Sequence, residues 1–177
     1  MKYYISDLHL GHANIIRLCN RPFTDVHQMD EALIDNWNSV VKPNDEVYIL
    51  GDLVFKATKN PVEYFKRLNG KKYLIKGNHD DINADWYPYF EWIKPYEKIH
   101  DNGKTLILCH YPMVEWDGYF KGSIHLYGHI HNSVENQAYK IMRNIDNAYN
   151  VGADITGFIP RTLDDIIECN KKFNKEN

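Results

Sequence analysis

The sequence predicts a mixed α/β protein. Three observations carry that expectation. Short runs of β-branched and aromatic residues recur along the chain, helical stripes of apolar residues fall between them, and the runs pass directly into polar residues or glycine. Strands alternating with helices point to an α/β architecture, and open sheets of that kind gather their functional groups just past the strand ends.

The elements follow in order. Tyr3-Tyr4-Ile5 reads as a strand that runs into Ser6-Asp7-Leu8-His9. From Val26 to Val41, Met29, Leu33, Ile34, Trp37 and Val41 recur at spacings of three and four, a helical stripe. Val47-Tyr48-Ile49-Leu50 is a second strand, running into Gly51-Asp52. Pro61 opens a helix to Leu68 that ends near Gly70. Tyr73-Leu74-Ile75 leads to Lys76-Gly77-Asn78-His79, Leu106-Ile107-Leu108-Cys109 to His110-Tyr111-Pro112, and Ile124-His125-Leu126-Tyr127 to Gly128-His129-Ile130-His131. Thr162 caps a final helix through Ile167, with Asp165 three residues on. Residues 1–177 read as one domain, with the polar stretch Asn170–Asn177 as a frayed tail.

Composition narrows the class of function. The net charge is −3, and no basic stripe of the kind that tracks nucleic-acid phosphates stands out, so nucleic acid is not the favoured partner. No apolar run approaches the roughly 20 residues that span a bilayer. The start, Met1-Lys2-Tyr3-Tyr4, is charged too early for a secretion signal. Cys19, Cys109 and Cys169 are odd in number and scattered, which reads as reduced thiols in a cytoplasmic protein.

Chemistry concentrates in a few short clusters. Of nine histidines, His9, His79, His110, His129 and His131 sit near Asp, Asn or Gly at or just past strand ends. In extended chain, residues two apart point to the same side, so Asp7 with His9, and His129 with His131, are expected to converge. Asp52 and Asn78 each follow a glycine, which permits a sharp turn. Imidazole and carboxylate together suit Mn, Fe, Zn, Ni or Co. Asp7, His9, Asp52, Asn78, His110, His129 and His131 are too many for one ion. Two ions at about 3.5–4 Å, sharing a carboxylate and a water, would use them all.

Asp7-Leu8-His9, Gly51-Asp52, Gly77-Asn78-His79-Asp80, His110 and Gly128-His129-Ile130-His131 occur in the order of the calcineurin-like metallophosphoesterase signature. The chain resembles that family. The resemblance implies a four-layer α-β-β-α sandwich, two mixed sheets flanked by helices. It implies a metal-dependent hydrolase of phosphomonoesters or phosphodiesters that works through a hydroxide bridging two divalent ions, manganese foremost. One ion would take Asp7, His9, Asp52 and His131; the other would take Asp52, Asn78, His110 and His129. Asp52 would bridge, and His79 would face the leaving group as an acid or a cation. Such a centre keeps a net formal charge of about +1, enough to attract phosphate without a basic surface. Asn150-Val151-Gly152-Ala153 resembles the family's closing strand. One departure stands out. Where many members carry an aspartate that orients the catalytic histidine, this chain has Phe55, so Asp80 or a backbone carbonyl is expected to orient His79.

Around this centre, His12, Arg21, Tyr111 and Trp116 are the expected substrate-binding residues, with Asp117 and Arg161 as further wall. His27, His100 and His125 read as partly buried structural residues, and Trp37 and Trp86 as core. Cys109 points away from its neighbour His110 and so reads as core rather than nucleophile. With little room for a cap domain, the cleft is expected to be open and the substrate a small phosphate ester. Two other functions compete. Nucleases of the family share the Asp-Leu-His-Leu-Gly opening, and some members are non-catalytic metal-binding scaffolds. The His-x-His-x-Asp-His run of metallo-β-lactamases is absent.

Overall fold

The computed structural model describes residues 1–177 and places two four-stranded sheets face to face. The first holds β1 (Lys2–Ile5), β2 (Glu46–Ile49), β3 (Lys71–Ile75) and β4 (Trp92–Lys94), in that order and all parallel. The second holds β5 (Tyr96–Asp101), β6 (Lys104–Cys109), β7 (Ile124–Tyr127) and β8 (Ala148–Asn150); β5 and β6 pair antiparallel and the rest parallel. One sheet is therefore mixed and the other wholly parallel.

Alternation along the strands builds the layers. Tyr4, Tyr48, Leu50 and Ile75 face Leu106, Leu108, Ile124 and Leu126 in a core between the sheets. Their neighbours Tyr3, Ile5, Val47, Ile49 and Leu74 point the other way, onto helix α2 (Val26–Val40) and helix α3 (Pro61–Phe65). Trp37, 0 % exposed, and Trp86, 2 % exposed, lie in that outer core, as the sequence predicts. On the far face of the second sheet, Ile107 and Tyr127 pack with Tyr139 and Met142 of helix α4 (Gln137–Met142). Helix, sheet, sheet and helix make the expected four layers.

Caps set the helix starts. The Asp25 side chain accepts from Gln28 N–H to open α2, and Asn60 accepts from Val62 N–H to open α3 with Pro61 in its first turn. Three short helices carry no apolar stripe long enough to read: α1 (Ala13–Leu18), α4, and α5 (Ala153–Thr156). The closing strand is Ala148–Asn150, two residues earlier than the 150–153 stretch predicts; Ala153 already begins α5.

The expected frayed tail is overturned. The last helix, α6, runs from Leu163 to Glu176, opened by a reciprocal capping box between Thr162 and Asp165. Asn170 is buried and pairs with Asn150 in both directions, accepting its N–H at 2.9 Å and donating to its carbonyl at 2.8 Å. Phe173 packs edge-on against Tyr139. A polar composition hid a docked helix.

His125 is fully buried on β7, its ring satisfied at both nitrogens. Nδ1–H donates to Ile107 O at 3.1 Å, and Nε2 accepts from Met113 N–H at 3.2 Å. Burial pushes its pKa down to about 4. Below its ordinary value of about 6.5 the unfolded chain takes up a proton that the folded ring refuses. Its contribution is therefore full above pH 6.5 and is lost as pH falls towards 4, a swing of about 3 kcal/mol. Urea unfolding of wild type and His125→Gln at pH 7 and pH 4.5 should show the stability gap between them narrowing in acid. A gap unchanged by pH would refute the assignment. His27 and His100, expected to be partly buried, are exposed instead.

Candidate metal centre

The parallel strands β1, β2, β3, β6 and β7 end on one edge of the sandwich, and the loops that follow deliver the expected ligands to one place. The loops after β1 and β2 run side by side. Asp7 N–H donates to Gly51 O at 3.0 Å, and His9 N–H to Asp52 O at 2.9 Å. The glycines before the ligands make space. Gly51 has φ +91°, and a Cβ there would also collide with the His110 ring. At Gly77 a Cβ would strike the Asp52 carboxylate, and at Gly128 the side chains of Ser6 and Asp7. Neither of those two has positive φ, so close approach, not a sharp turn, is what requires glycine there.

The ligand segments are not extended, as the same-side argument assumes. Asp7, His9, Asp52, His129 and His131 have φ of 56°, 52°, 52°, 72° and 51°. The residue between each pair, Leu8 or Ile130, is anchored in a core, at 1 % and 3 % exposure. Convergence comes from left-handed backbone on either side of that anchor. Such residues cost on the order of 1–3 kcal/mol each and persist where the surroundings impose them.

Three groups of donor atoms lie within 4.8 Å of one another, and two of them consist of expected ligands: Asp7, His9 and His131, and Asp7, Asp52 and His110; the third is Cys19, His131 and Asp154. Asp7 belongs to both groups of expected ligands. Asp52 also lies between, its Oδ2 at 3.5 Å from His9 Nε2 and 3.6 Å from His110 Nε2. His110 Nδ1–H donates to Leu50 O at 2.7 Å, which leaves Nε2 with a lone pair turned to Asn78 Oδ1 at 3.0 Å and to Asp52. The His129 ring stands 5.1 Å from that of His110, and its backbone N–H donates to both Asp7 oxygens. All seven expected ligands thus border one site.

His9 decides whether that site suits cations. It is 1 % exposed, and neither ring nitrogen has a hydrogen-bond partner. Buried polar atoms are nearly always paired, and leaving one unpaired costs about 1–3 kcal/mol. Burial, with His131, Arg21 and other cationic neighbours, holds its pKa down at about 2, so the ring is a neutral lone-pair donor. Burial also raises the Asp7 carboxyl. A cation in contact with His9, Asp7 and Asp52 would relieve both.

Side chains behind the ligands fix them. His131 Nδ1–H donates to Asp154 Oδ2 at 2.9 Å, turning Nε2 towards Asp7 and His9, an arrangement typical of metal-binding histidines. Burial disfavours the His131 cation, but Asp154, Cys19 and Asp7 outweigh it and push the pKa up to about 10. A metal ion held at Nε2 would displace that proton. Arg21, expected to touch substrate, is instead buried behind the centre. It forms a forked ion pair with Asp154 at 2.8 and 3.1 Å and donates to Leu8 O at 2.8 Å and Asp7 O at 2.6 Å. Burial raises the Asp154 carboxyl, but the His131 hydrogen bond and then Arg21 hold it below its usual range.

Asp80 does not orient His79. Its oxygens accept the backbone N–H groups of Asp52, Leu53 and Gly77 at 2.9, 2.9 and 2.8 Å, bracing the Asp52 turn. His79 is set by its own N–H, which donates to Asp52 Oδ1 at 2.9 Å, and by Phe55, whose ring centroid lies 4.1 Å from its own. The Phe55 ring thus packs on His79 where Asp80 or a backbone carbonyl is expected. Tyr111, 47 % exposed, borders the site 4.7 Å from the His129 ring. His12 borders it too, 5.5 Å from His9. Trp116 does not; it is buried, donates to Ser123 and packs on His125. Asp117 pairs with Lys98 on the surface, and Arg161 bridges to β1 and donates to Thr156 O. Cys109 is half-buried with its pKa raised by burial, the opposite of an activated nucleophile. Ser6, whose Oγ donates to Asp7 Oδ2 at 2.6 Å, Asn150, whose amide donates to His131 O at 2.9 Å, and Asp154 are the supporting residues the sequence analysis missed, and Asp80 was given a different role. Asp154 had one signal, an acid four residues past Asn150.

No family model matches the chain. The uncharacterised protein MJ1445 of Methanocaldococcus jannaschii is 36 % identical over 172 residues, which cover 96 % of this chain and 91 % of that protein. The gene 66 protein of Mycobacterium phage L5 is 30 % identical over 160 residues, 73 % of this chain and 77 % of that one. Among solved structures, AQ665 of Aquifex aeolicus, a protein of unknown function, superposes with a TM-score of 0.75 at 29 % identity, over 95 % of this chain and 98 % of that one. Over nearly its whole length, then, this chain belongs to the family of MJ1445, to which the phage gene 66 protein is also related.

Proposed function

We propose that the chain is a phosphoesterase of the calcineurin-like type that holds two divalent cations and hydrolyses phosphomonoesters or phosphodiesters. One observation carries the reading: a buried, unpaired His9 converges with Asp7, Asp52, His110 and His131 on one place. Asp7, His9, Asp52 and His131 would hold one ion, and Asp52, Asn78, His110 and His129 the other. When bound, the ions would supply positive charge for the phosphoryl oxygens and acidify a water for attack.

The protein's own groups do the rest. His79 lies at the mouth, tethered to Asp52 and backed by Phe55, where it can donate a proton to the departing oxygen or hold it as a cation. The cleft beside it, about 600 Å³, is lined by Phe55, Lys76, Asn78, Pro95 and Tyr111. It is open, which suits small esters. Lys76 adds a cation where the overall charge of −3 would otherwise repel phosphate. Three free thiols support a reducing, cytoplasmic setting; no helix is long and apolar enough to cross a membrane.

The test is reconstitution with Mn, Fe, Ni, Co and Zn, followed by assay on p-nitrophenyl phosphate and bis-p-nitrophenyl phosphate. Turnover is expected with at least one metal, manganese first, and chelation should remove it. Tight metal binding with no turnover on any ester would replace this reading with a metal-binding scaffold.

A further inference from the structure

The cleft does not end at His79. Past the Phe55–His79 ridge it continues over His9, His12 and Leu18 as a groove of about 480 Å³. Beyond His12 and Lys56 it opens into a hollow of about 460 Å³, walled by Lys59, Asn14, Asp30 and Tyr64.

His12 is 8 % exposed, and its buried Nδ1 has no partner. An N–H there would be orphaned, so the neutral ring keeps a bare lone pair at Nδ1 and its proton on Nε2. The ring stands edge-on to Phe55 at 4.8 Å and so faces the groove as a hydrogen-bond donor. Lys56 and Lys59 carry free charge. Six of the sixteen lysines pair with carboxylates; these two, like eight others, pair with none. The Lys56 ammonium stands 5.1 Å from the Phe55 ring, at the junction of groove and hollow. The one carboxylate in the wall, Asp30, is already occupied, accepting Gly11 N–H at 2.9 Å and Tyr64 O–H at 2.8 Å. The free charges of this surface are therefore cations, and they begin one ring beyond His9.

We infer that this groove binds a second phosphate group, so that the preferred substrate is a phosphodiester carrying a further terminal phosphate, such as an end-phosphorylated dinucleotide. The inference rests on the phosphoesterase reading for where the scissile phosphate lies. His12, Lys56 and Lys59 are specificity residues that hold the distal phosphate by charge-assisted hydrogen bonds.

The experiment compares thymidine dinucleotides with a 5′-phosphate, a 3′-phosphate or neither, alongside bis-p-nitrophenyl phosphate, on metal-loaded protein. Calorimetry measures the binding of each dinucleotide in parallel. For one of the two phosphorylated ends, kcat/KM and affinity should exceed those of the unphosphorylated dinucleotide by about tenfold or more. That ratio should fall to near one in the double variant K56Q/K59Q, whose changes lie on the surface and leave the core intact, and should shrink in high salt. Equal affinity and turnover for all three dinucleotides would overturn the proposal. If nothing is hydrolysed, the catalytic reading fails on its own, and the binding ratio still decides the subsite.

Discussion

Asp52→Asn protein, loaded with manganese, is expected to hydrolyse bis-p-nitrophenyl phosphate roughly a thousandfold more slowly than wild type. The substitution is nearly isosteric. An asparagine Oδ1 can still accept the His79 N–H that Asp52 Oδ1 now accepts at 2.9 Å, so the loop should hold. What changes is the other oxygen, the one that lies 3.5 Å from His9 and 3.6 Å from His110. An amide there brings no negative charge and a poorer donor atom. Metal ions stabilise phosphoryl transition states by several kcal/mol, and at about 1.36 kcal/mol per decade that corresponds to roughly three decades of rate. The thermal melt of the metal-free variant should stay near that of wild type. Turnover within tenfold of wild type would remove the shared-carboxylate centre.

Arg21→Met should lower the melting temperature by roughly 10 °C. The Arg21 side chain is 0 % exposed and that of Asp154 is 1 % exposed, so the substitution leaves a buried carboxylate with His131 as its one remaining side-chain partner. Breaking a buried pair on one side costs about 3–5 kcal/mol, and a chain of this size loses about 2–4 °C per kcal/mol. The loss should also reach the centre. Asp154 would keep His131 but lose the fork that fixes its carboxylate, and Leu8 O and Asp7 O would lose their donors, so metal affinity should fall about 10–100-fold. Adding Asp154→Asn removes the stranded charge and should recover part of the melting temperature. A drop of less than 3 °C for Arg21→Met alone, which is under about 1 kcal/mol, would mean the pair is not braced as described.

These expectations depend unequally on what a sequence displays. The ligands were legible because short motifs in a fixed order carry the chemistry on the side chains themselves. Their backbone was not: period-two reasoning places Asp7 and His9 on one side of a strand, while the chain uses left-handed turns about Leu8. Arg21 was misassigned because its partner lies 133 residues away, and no local pattern distinguishes a guanidinium that braces from one that binds substrate. Among the elements, α2 and the inner strands announced themselves through apolar periodicity. The edge strand β5 did not, since Tyr96–Asp101 is half polar and pairs on one side only. The sequence ends the last helix at Ile167 and starts a tail at Asn170, a polar residue that is a core contact through Asn150. Phe55 was seen as a departure, but sequence gives no sign that its ring packs on His79.

The left-handed backbone at residues 7, 9, 52, 129 and 131 gives these positions a second meaning. Glycine adopts that conformation freely, and asparagine tolerates it better than histidine does. Folding alone would therefore favour small or amide residues at all five places. A lineage that ceased to use the centre would drift towards them, gaining stability as it went. Aspartate and histidine at these five places carry a backbone cost that glycine would avoid, a cost that a role for the centre would explain.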